Sequence, residues 1–337
     1  MKDESKTIAS LLKCASVFCD ELVVVDTGST DGSDEIAKSM GARVIYFPWQ
    51  NDFSLARNFA IKNATCDYGI WLDADDFVSE SDCEKICRLK REDFLHADIV
   101  MMKYRVSPTF SYYRERIFRL DGTNFFSGFV HEAMAQKGRV VRADAEILHQ
   151  KQKPSGRRNL DIYLAHDSDK FSPRERYYFA RELYYNGRYA QASEQMSKFL
   201  ATGSFAPNLV DGAIVKYRAD KASGKNDVKD LFFALSHGAT PELCYEIGGW
   251  FFDRRDYKKA KFWYGAAMIA DDMSGEGAFC DERYKTIFAM LQLTVCHFRL
   301  GEIKEACKLA EDTYRLFPDN EQAICNKSWA DSVQNLQ

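Results

Sequence analysis

The sequence predicts two parts, an α/β domain with a mainly parallel sheet followed by an all-α helical array. Three observations carry this. Short β-branched runs alternate with helical stretches through the first half of the chain. From Pro173 onward, strand-like runs give way to amphipathic helices with regular turn signals. At 337 residues the chain also exceeds one ordinary domain of roughly 100–200 residues. The expected limits are 1–155 for the α/β domain, 156–172 for a linker and 173–337 for the helical array.

In the first half the expected strands are Glu21–Asp26, Arg43–Phe47, Tyr68–Asp73 and Ile99–Val106. Between the first three lie two helices, Ser33–Met40, opened by Thr30/Ser33 and closed at Gly41, and Asp52–Ala64. In the second half, three segments repeat a helix, turn, helix logic: ARELYYNGRYAQASEQMSKFL, IGGWFFDRRDYKKAKFWYGAAM and TVCHFRLGEIKEACKLAEDTYRLFP. Aligning their turns superposes Ala192, Ala260 and Ala306. The first interval, 68 residues, is twice the tetratricopeptide period of about 34 and leaves room for a degenerate unit around Ser223–Lys225. The next, 46 residues, makes the array imperfect. Tyr177–Tyr185 and Trp250–Phe252 read as core or as an acceptor groove, core being favoured.

Composition narrows the function classes. No stretch approaches the roughly 20 apolar residues of a membrane helix, and the start MKDESKTIAS lacks a secretory signal. No membrane span and a cytoplasmic location are therefore expected. The ten cysteines show no CxxC pair; Cys83 and Cys87 would be helix neighbours but supply only two ligands, so reduced thiols are expected. A net charge of -4 argues against a surface matched overall to nucleic acid. The densest basic run, Lys151, Lys153, Arg157 and Arg158, reads as a solvated linker.

Two strand ends carry candidate chemistry. VVVDTGSTD runs an apolar strand into Asp26, then turns through Thr27, Gly28 and Ser29 into a helix, the crevice geometry for ligands in open α/β sheets. Asp26 there accepts hydrogen bonds from a base or ribose, or it simply organises a turn and cap; both readings stand. IWLDADD ends a strand in Asp73, Asp75 and Asp76, whose repulsion a divalent cation would offset. On an extended backbone Asp73 and Asp75 project to one side. In FFSGFVHEAM, Gly128, His131 and Glu132 stand together, and AEILHQ brings His149 at a strand end; each is weak by itself.

Together, DELVVVDTGSTDGSDEIAKSMGARV, FPWQNDFSLARNFAIKNATCDYGIWLDADD, GFVHE, ILHQ and the repeat segments resemble the family 2 glycosyltransferases of the Rossmann-like GT-A fold. The resemblance is to bacterial members with a C-terminal tetratricopeptide region, a group that includes bacteriocin peptide S-glycosyltransferases. It implies that Asp26, Thr27, Gly28 and Ser29 bind the nucleotide of a sugar donor and that Arg57 and Asn58 line that pocket. It makes Asp73 and Asp75 a DxD pair, with Asp75 on Mn²⁺ or Mg²⁺ and Asp73 also holding ribose or sugar. His149 becomes a metal histidine, Gly128 and His131 belong to the donor and acceptor-side loop, and Glu132 is the catalytic base of an inverting transfer. The implied donor is a nucleotide sugar, UDP-linked by family resemblance. A peptide or protein acceptor is favoured, a glycan or modified nucleic-acid base remains open, and homo-oligomerisation through the helical domain fits the array. Family members open with an apolar strand before the segment matching Lys2-Asp3-Glu4; here that segment follows Met1, so the first strand of the sheet is expected to be missing and donor binding weakened. A catalytically silent scaffold protein is the competing class.

Overall fold

The structure is a computed structural model that describes residues 1–92, 96–150 and 156–334. It divides into two compact units, Met1–Tyr178 and Phe179–Gln337.

The first unit opens with α1 (Ile8–Ala15), β1 (Val23–Asp26), α2 (Ser33–Ser39), β2 (Arg43–Tyr46) and α3 (Phe53–Asn63). It continues through β3 (Tyr68–Ile70), β4 (Asp76–Phe77), α4 (Glu80–Glu92), β5 (Ile99–Ser107) and β6 (Phe110–Arg119). Two short strands, β7 (Phe126–Ser127) and β8 (Ala133–Met134), precede β9 (Val140–His149) and α5 (Arg158–Leu164).

β1 and β2 pair in parallel, in register from Val23↔Arg43 to Asp26↔Tyr46, as a strand, helix, strand unit requires. On the other edge of β1 the Met1 amine donates to Val25 O at 2.6 Å, and Met1 O accepts from Thr27 N at 2.9 Å. Met1 thus occupies one residue of a parallel neighbour to β1. The larger sheet is mixed, which corrects the expected mainly parallel sheet: β3–β6, β5–β6 and β4–β9 are antiparallel and β5–β9 is parallel. The cause is local. Only Pro108 and Thr109 separate β5 from β6, too short a link for the crossover that parallel neighbours need.

The first four residues of β5, Ile99 to Met102, are buried on both faces, which explains their unbroken apolar run. Val100, Met102 and Tyr104 pack with Ile147 of β9 and Ile86 of α4, while Ile99 and Met101 pack with Trp71, Phe118 and Phe126. The expected linker 156–172 is not one. Its α5 buries Leu160 and Tyr163 completely, and Phe129 stacks on His166 at 4.1 Å and meets Tyr163 at 5.1 Å. Arg157 pairs with Asp161 and Arg158 lies over the Phe53 ring; Lys151 and Lys153 fall outside the described residues.

α6 (Pro173–Tyr185) runs through the division between the units. The second unit continues with α7 (Tyr189–Leu200), α8 (Ala206–Ala222), α9 (Lys229–Ala234), α10 (Pro241–Asp253), α11 (Tyr257–Ile269), α12 (Ile287–Arg299), α13 (Ile303–Leu316) and α14 (Glu321–Gln334). Ala192, Ala260 and Ala306 are each 0% exposed, small residues at close helix crossings. Five residues before each stands a left-handed residue, Gly187, Arg255 or Gly301 (φ 72°, 60° and 78°). There the next amide bonds back into the preceding helix, Arg188 N to Leu183 O, Asp256 N to Phe251 O and Glu302 N to His297 O, the Schellman termination. Gly224 repeats it through Lys225 N to Asp220 O at 2.8 Å, at the site expected for the degenerate unit. Trp250, Phe251 and Phe252 are half-buried and Tyr177 is fully buried, whereas Tyr185 is 61% exposed. No helix among the described residues is long and apolar enough to cross a membrane, and the ten cysteines are free thiols.

Candidate active site

At the end of β1, Asp26 is almost fully buried, and its carboxylate accepts from Gly28 N at 3.3 Å and from Ser29 N at 3.1 Å. Gly28 takes φ 103°, a region open to glycine. Thr27 donates its hydroxyl to Met1 O at 2.9 Å, and Ser29 Oγ accepts from Asp3 N at 3.0 Å. Burial lowers the pKa of the Met1 ammonium, while the charges of Asp26 and Asp73 act on it in the opposite sense. Leu72 and Ala74 pack against the cluster that holds Val24 of β1, which brings the acidic segment after β3 close to the end of β1.

That segment departs from the extended path assumed above. β3 stops at Ile70, and Asp73-Ala74-Asp75-Asp76 forms a turn in which Asp76 N donates to Asp73 O and Asp76 Oδ2 accepts from Asp73 N, both at 2.9 Å. Asp73 and Asp75 are therefore parted by the turn rather than aligned by strand alternation. Arginines supply much of the positive charge that a cation was invoked to provide. Arg57 of α3 holds Asp73 through Nη2 at 2.7 Å, and buried Arg116 of β6 holds Asp76 through Nη1 at 3.0 Å. Burial alone would raise the Asp73 carboxyl, but Arg57, Arg116 and Arg114 reverse that and hold it at about 2.

The guanidinium of Arg57 also grips Glu132, Nε to Oε1 at 2.5 Å, so one arginine joins two of the expected site carboxylates. Trp71 is the shared platform beneath: the guanidinium carbons of Arg116, Arg57 and Arg114 lie 3.8, 4.1 and 4.9 Å from its ring centre. Glu132 is 6% exposed, and its carbonyl accepts from Arg114 Nη2 at 3.0 Å. The turn carrying it needs two left-handed residues, Gly128 at φ 94° and His131 at φ 53°. The His131 ring stacks on Tyr178 at 4.3 Å. Asn58 is committed to bracing β7, donating to Phe126 O at 2.9 Å and accepting from Phe126 N at 2.8 Å.

Asp75, Asp76 and His149 form the metal-capable group among the described residues, their donor atoms all within 4.8 Å of one another. Pairing of β4 with β9 sets Asp76 opposite His149, and Gln150 N donates to Asp75 O at 2.8 Å. His149 Nδ1 lies 3.5 Å from both Asp75 Oδ1 and Asp76 Oδ1 and is a buried nitrogen without a hydrogen bond. An imidazole nitrogen left in this way beside carboxylate oxygens fits a divalent cation such as Mn²⁺ or Mg²⁺. Asp73, committed to Arg57, is not in this group, which holds the expected Asp75 and His149 together with Asp76.

Sequence reasoning did not single out Arg116, Arg114, Trp71 or Tyr104. The signal for the two arginines was present in YYRERIFR, which sets Arg114 and Arg116 on either side of Glu115 between aromatic and aliphatic residues.

Residues 4–158 match the family model described as glycosyl transferase family 2. The chain carries a family 2 glycosyltransferase domain. Its relatives include the SPbeta prophage-derived glycosyltransferase SunS of Bacillus subtilis (strain 168), 29% identical over 215 residues, covering 58% of this chain and 50% of SunS. An uncharacterized glycosyltransferase of Rickettsia prowazekii is 37% identical over 79 residues, 23% of this chain and 27% of its own. A TPR repeat-containing protein of Synechococcus elongatus is 42% identical over 76 residues, 23% of this chain and 19% of its own. The chain thus spans half or less of the length of these curated relatives. The crystal structure of S. aureus TarS aligns with 68% of this chain and 52% of TarS at 15% identity and a TM-score of 0.36, too low to carry an argument.

The metal-capable group of the glycosyltransferase domain has a definite pH signature. Burial opposes a charge on His149, yet Asp76, Asp75 and Asp73 outweigh it and raise the imidazole above its usual range; burial likewise raises Asp75, helped by Asp73 and Asp76. In the metal-free protein the protonated imidazole therefore contributes stability in acid, lost as pH rises through the raised pKa. A bound cation must displace that proton. Mn²⁺ affinity is expected to fall as pH drops through the raised His149 pKa, by up to about tenfold per unit for each proton displaced. Electron paramagnetic resonance of free Mn²⁺ across this range tests it; a pH-independent affinity would remove His149 from the site.

Proposed function

We propose that this protein is a metal-dependent, inverting glycosyltransferase that moves a sugar from a nucleotide-sugar donor, UDP-linked, to a peptide or protein. The observation that carries this reading is the convergence of Asp75, Asp76 and His149 with an Arg57-held pair, Asp73 and Glu132, within a family 2 domain. The turn after Asp26, opened by Gly28, receives the nucleoside, and Asp73 meets the ribose or sugar. A divalent cation held by Asp75 and His149 would supply charge neutralisation for the leaving diphosphate. Glu132 takes the acceptor's proton; the acceptor atom forms its bond to the anomeric carbon as the bond to the diphosphate oxygen breaks, and the electron pair leaves on the nucleoside diphosphate.

The acceptor assignment draws on the second unit, since repeated helix pairs build extended binding surfaces suited to a peptide. SunS, by its name a glycosyltransferase, supports the class of reaction. The deciding assay offers UDP-, GDP- and TDP-sugars with Mn²⁺, with and without chelator, and measures nucleoside diphosphate release. Metal-dependent release supports the transferase; none with any donor leaves a binding protein in which the helical unit does the work.

A further inference from the structure

Arg116 lies deeper than any group expected to touch substrate, and its side chain and that of Asp76 are both 0% exposed. Along one edge of β6, Trp71 N donates to Arg116 O at 3.2 Å, and Arg116 Nη1 returns a bond to Trp71 O at 3.1 Å. The same Nη1 reaches Asp76 Oδ2, which also accepts from Asp73 N. The other oxygen, Asp76 Oδ1, accepts from the Tyr104 hydroxyl at 2.9 Å. The guanidinium itself is layered between Trp71 at 3.8 Å and Tyr104 at 4.2 Å.

Both ends of the turn from Asp73 to Asp76 are therefore fastened to one buried cation: its entrance through Trp71, its exit through Asp76. The two residues between, Ala74 and Asp75, are carried by that frame. Asp76 has both oxygens engaged in holding the turn, which separates it from Asp75 within the metal-capable group. Building this frame leaves Arg116 Nε and Nη2 buried without hydrogen bonds, a cost the fold retains.

We infer that Arg116 is a positioning residue for metal binding: acting through Asp76, it fixes the turn that sets Asp75 against His149 and touches neither the cation nor the substrate. Asp76 belongs to this clamp rather than to the ligands. The inference rests on the metal site proposed above. A lysine keeps the positive charge but has no planar guanidinium to layer between the Trp71 and Tyr104 rings, so charge and geometry are separable here.

The test titrates the full chain with Mn²⁺ alone, read by electron paramagnetic resonance. Arg116→Lys is expected to melt cooperatively and to bind Mn²⁺ about tenfold or more weakly, the range found when partners that orient metal ligands are altered. In an Asp75→Asn background the same change should have little further effect, because the ligand being positioned is gone. Folded Arg116→Lys protein with wild-type affinity, or an undiminished loss in the Asp75→Asn background, would overturn the clamp. Should Arg116→Lys not fold, Tyr104→Phe, which removes only the hydroxyl bond to Asp76, is judged by the same two criteria. A wild-type chain that binds no Mn²⁺ overturns the metal site and the clamp together, whereas loss of binding in His149→Ala with no effect of Arg116→Lys keeps the site and rejects the clamp.

Discussion

Replacing Glu132 by glutamine is expected to lower the turnover of donor and acceptor by about 10²–10⁴-fold, the contribution typical of a positioned general base. The glutamine keeps an oxygen for Arg57 Nε, and Asp73 remains 2.7 Å from Arg57 Nη2, so the guanidinium stays partly neutralised and the fold survives. Donor binding does not require the proton acceptor and should persist in calorimetry. Loss confined to turnover makes Glu132 the base. Near-normal turnover removes it from the mechanism, and a parallel loss of donor affinity would show that its role is to hold Arg57.

How much of this was legible in the sequence depends on the distance between partners along the chain. The helical array was readable because its signals are local: a left-handed turn residue and a buried alanine five positions later recur in Gly187/Ala192, Arg255/Ala260 and Gly301/Ala306. Arg255 shows the limit, since its left-handed φ is invisible without the neighbouring copies. The segment 156–172 was misread for a similar reason. Charged residues at its start conceal the buried Leu160 and Tyr163, and Tyr163 meets Phe129 and Val130 in the turn before Glu132.

At the acidic segment, the sequence pointed to the carboxylates and missed what organises them. Alternation in Asp73-Ala74-Asp75 reads as strand, but Asp76 caps the Asp73 amide and bends the chain first. The cation facing Asp76 comes from Arg116, 40 residues away, and Arg57 reaches Asp73 across 16 residues and Glu132 across 75. Such pairings depend on β3 and β6 lying side by side and on α3 packing against β1 and β7, and no spacing rule encodes them. His149 was found because it ends a strand-like run, yet its neighbour Asp76 could be recognised only from the β4–β9 register.

The Arg116–Asp76 pair also predicts the largest stability change in the first unit. Arg116→Met keeps much of the side-chain volume between Trp71 and Tyr104 but takes the guanidinium from an Asp76 carboxylate at 0% exposure, leaving it the Asp73 amide, the Tyr104 hydroxyl and His149 at 3.5 Å. Removing one partner of a buried pair typically costs about 3–5 kcal/mol, because the remaining charge is uncompensated. Chemical denaturation should show a loss of that order for Arg116→Met and a clearly smaller one for Arg116→Met combined with Asp76→Asn, in which no buried charge is left alone. The ordering matters more than either value. If the double variant is as unstable as the single, the cost lies in the lost hydrogen bonds to Trp71 and the cavity between the rings, and the pair's electrostatics do not hold the turn.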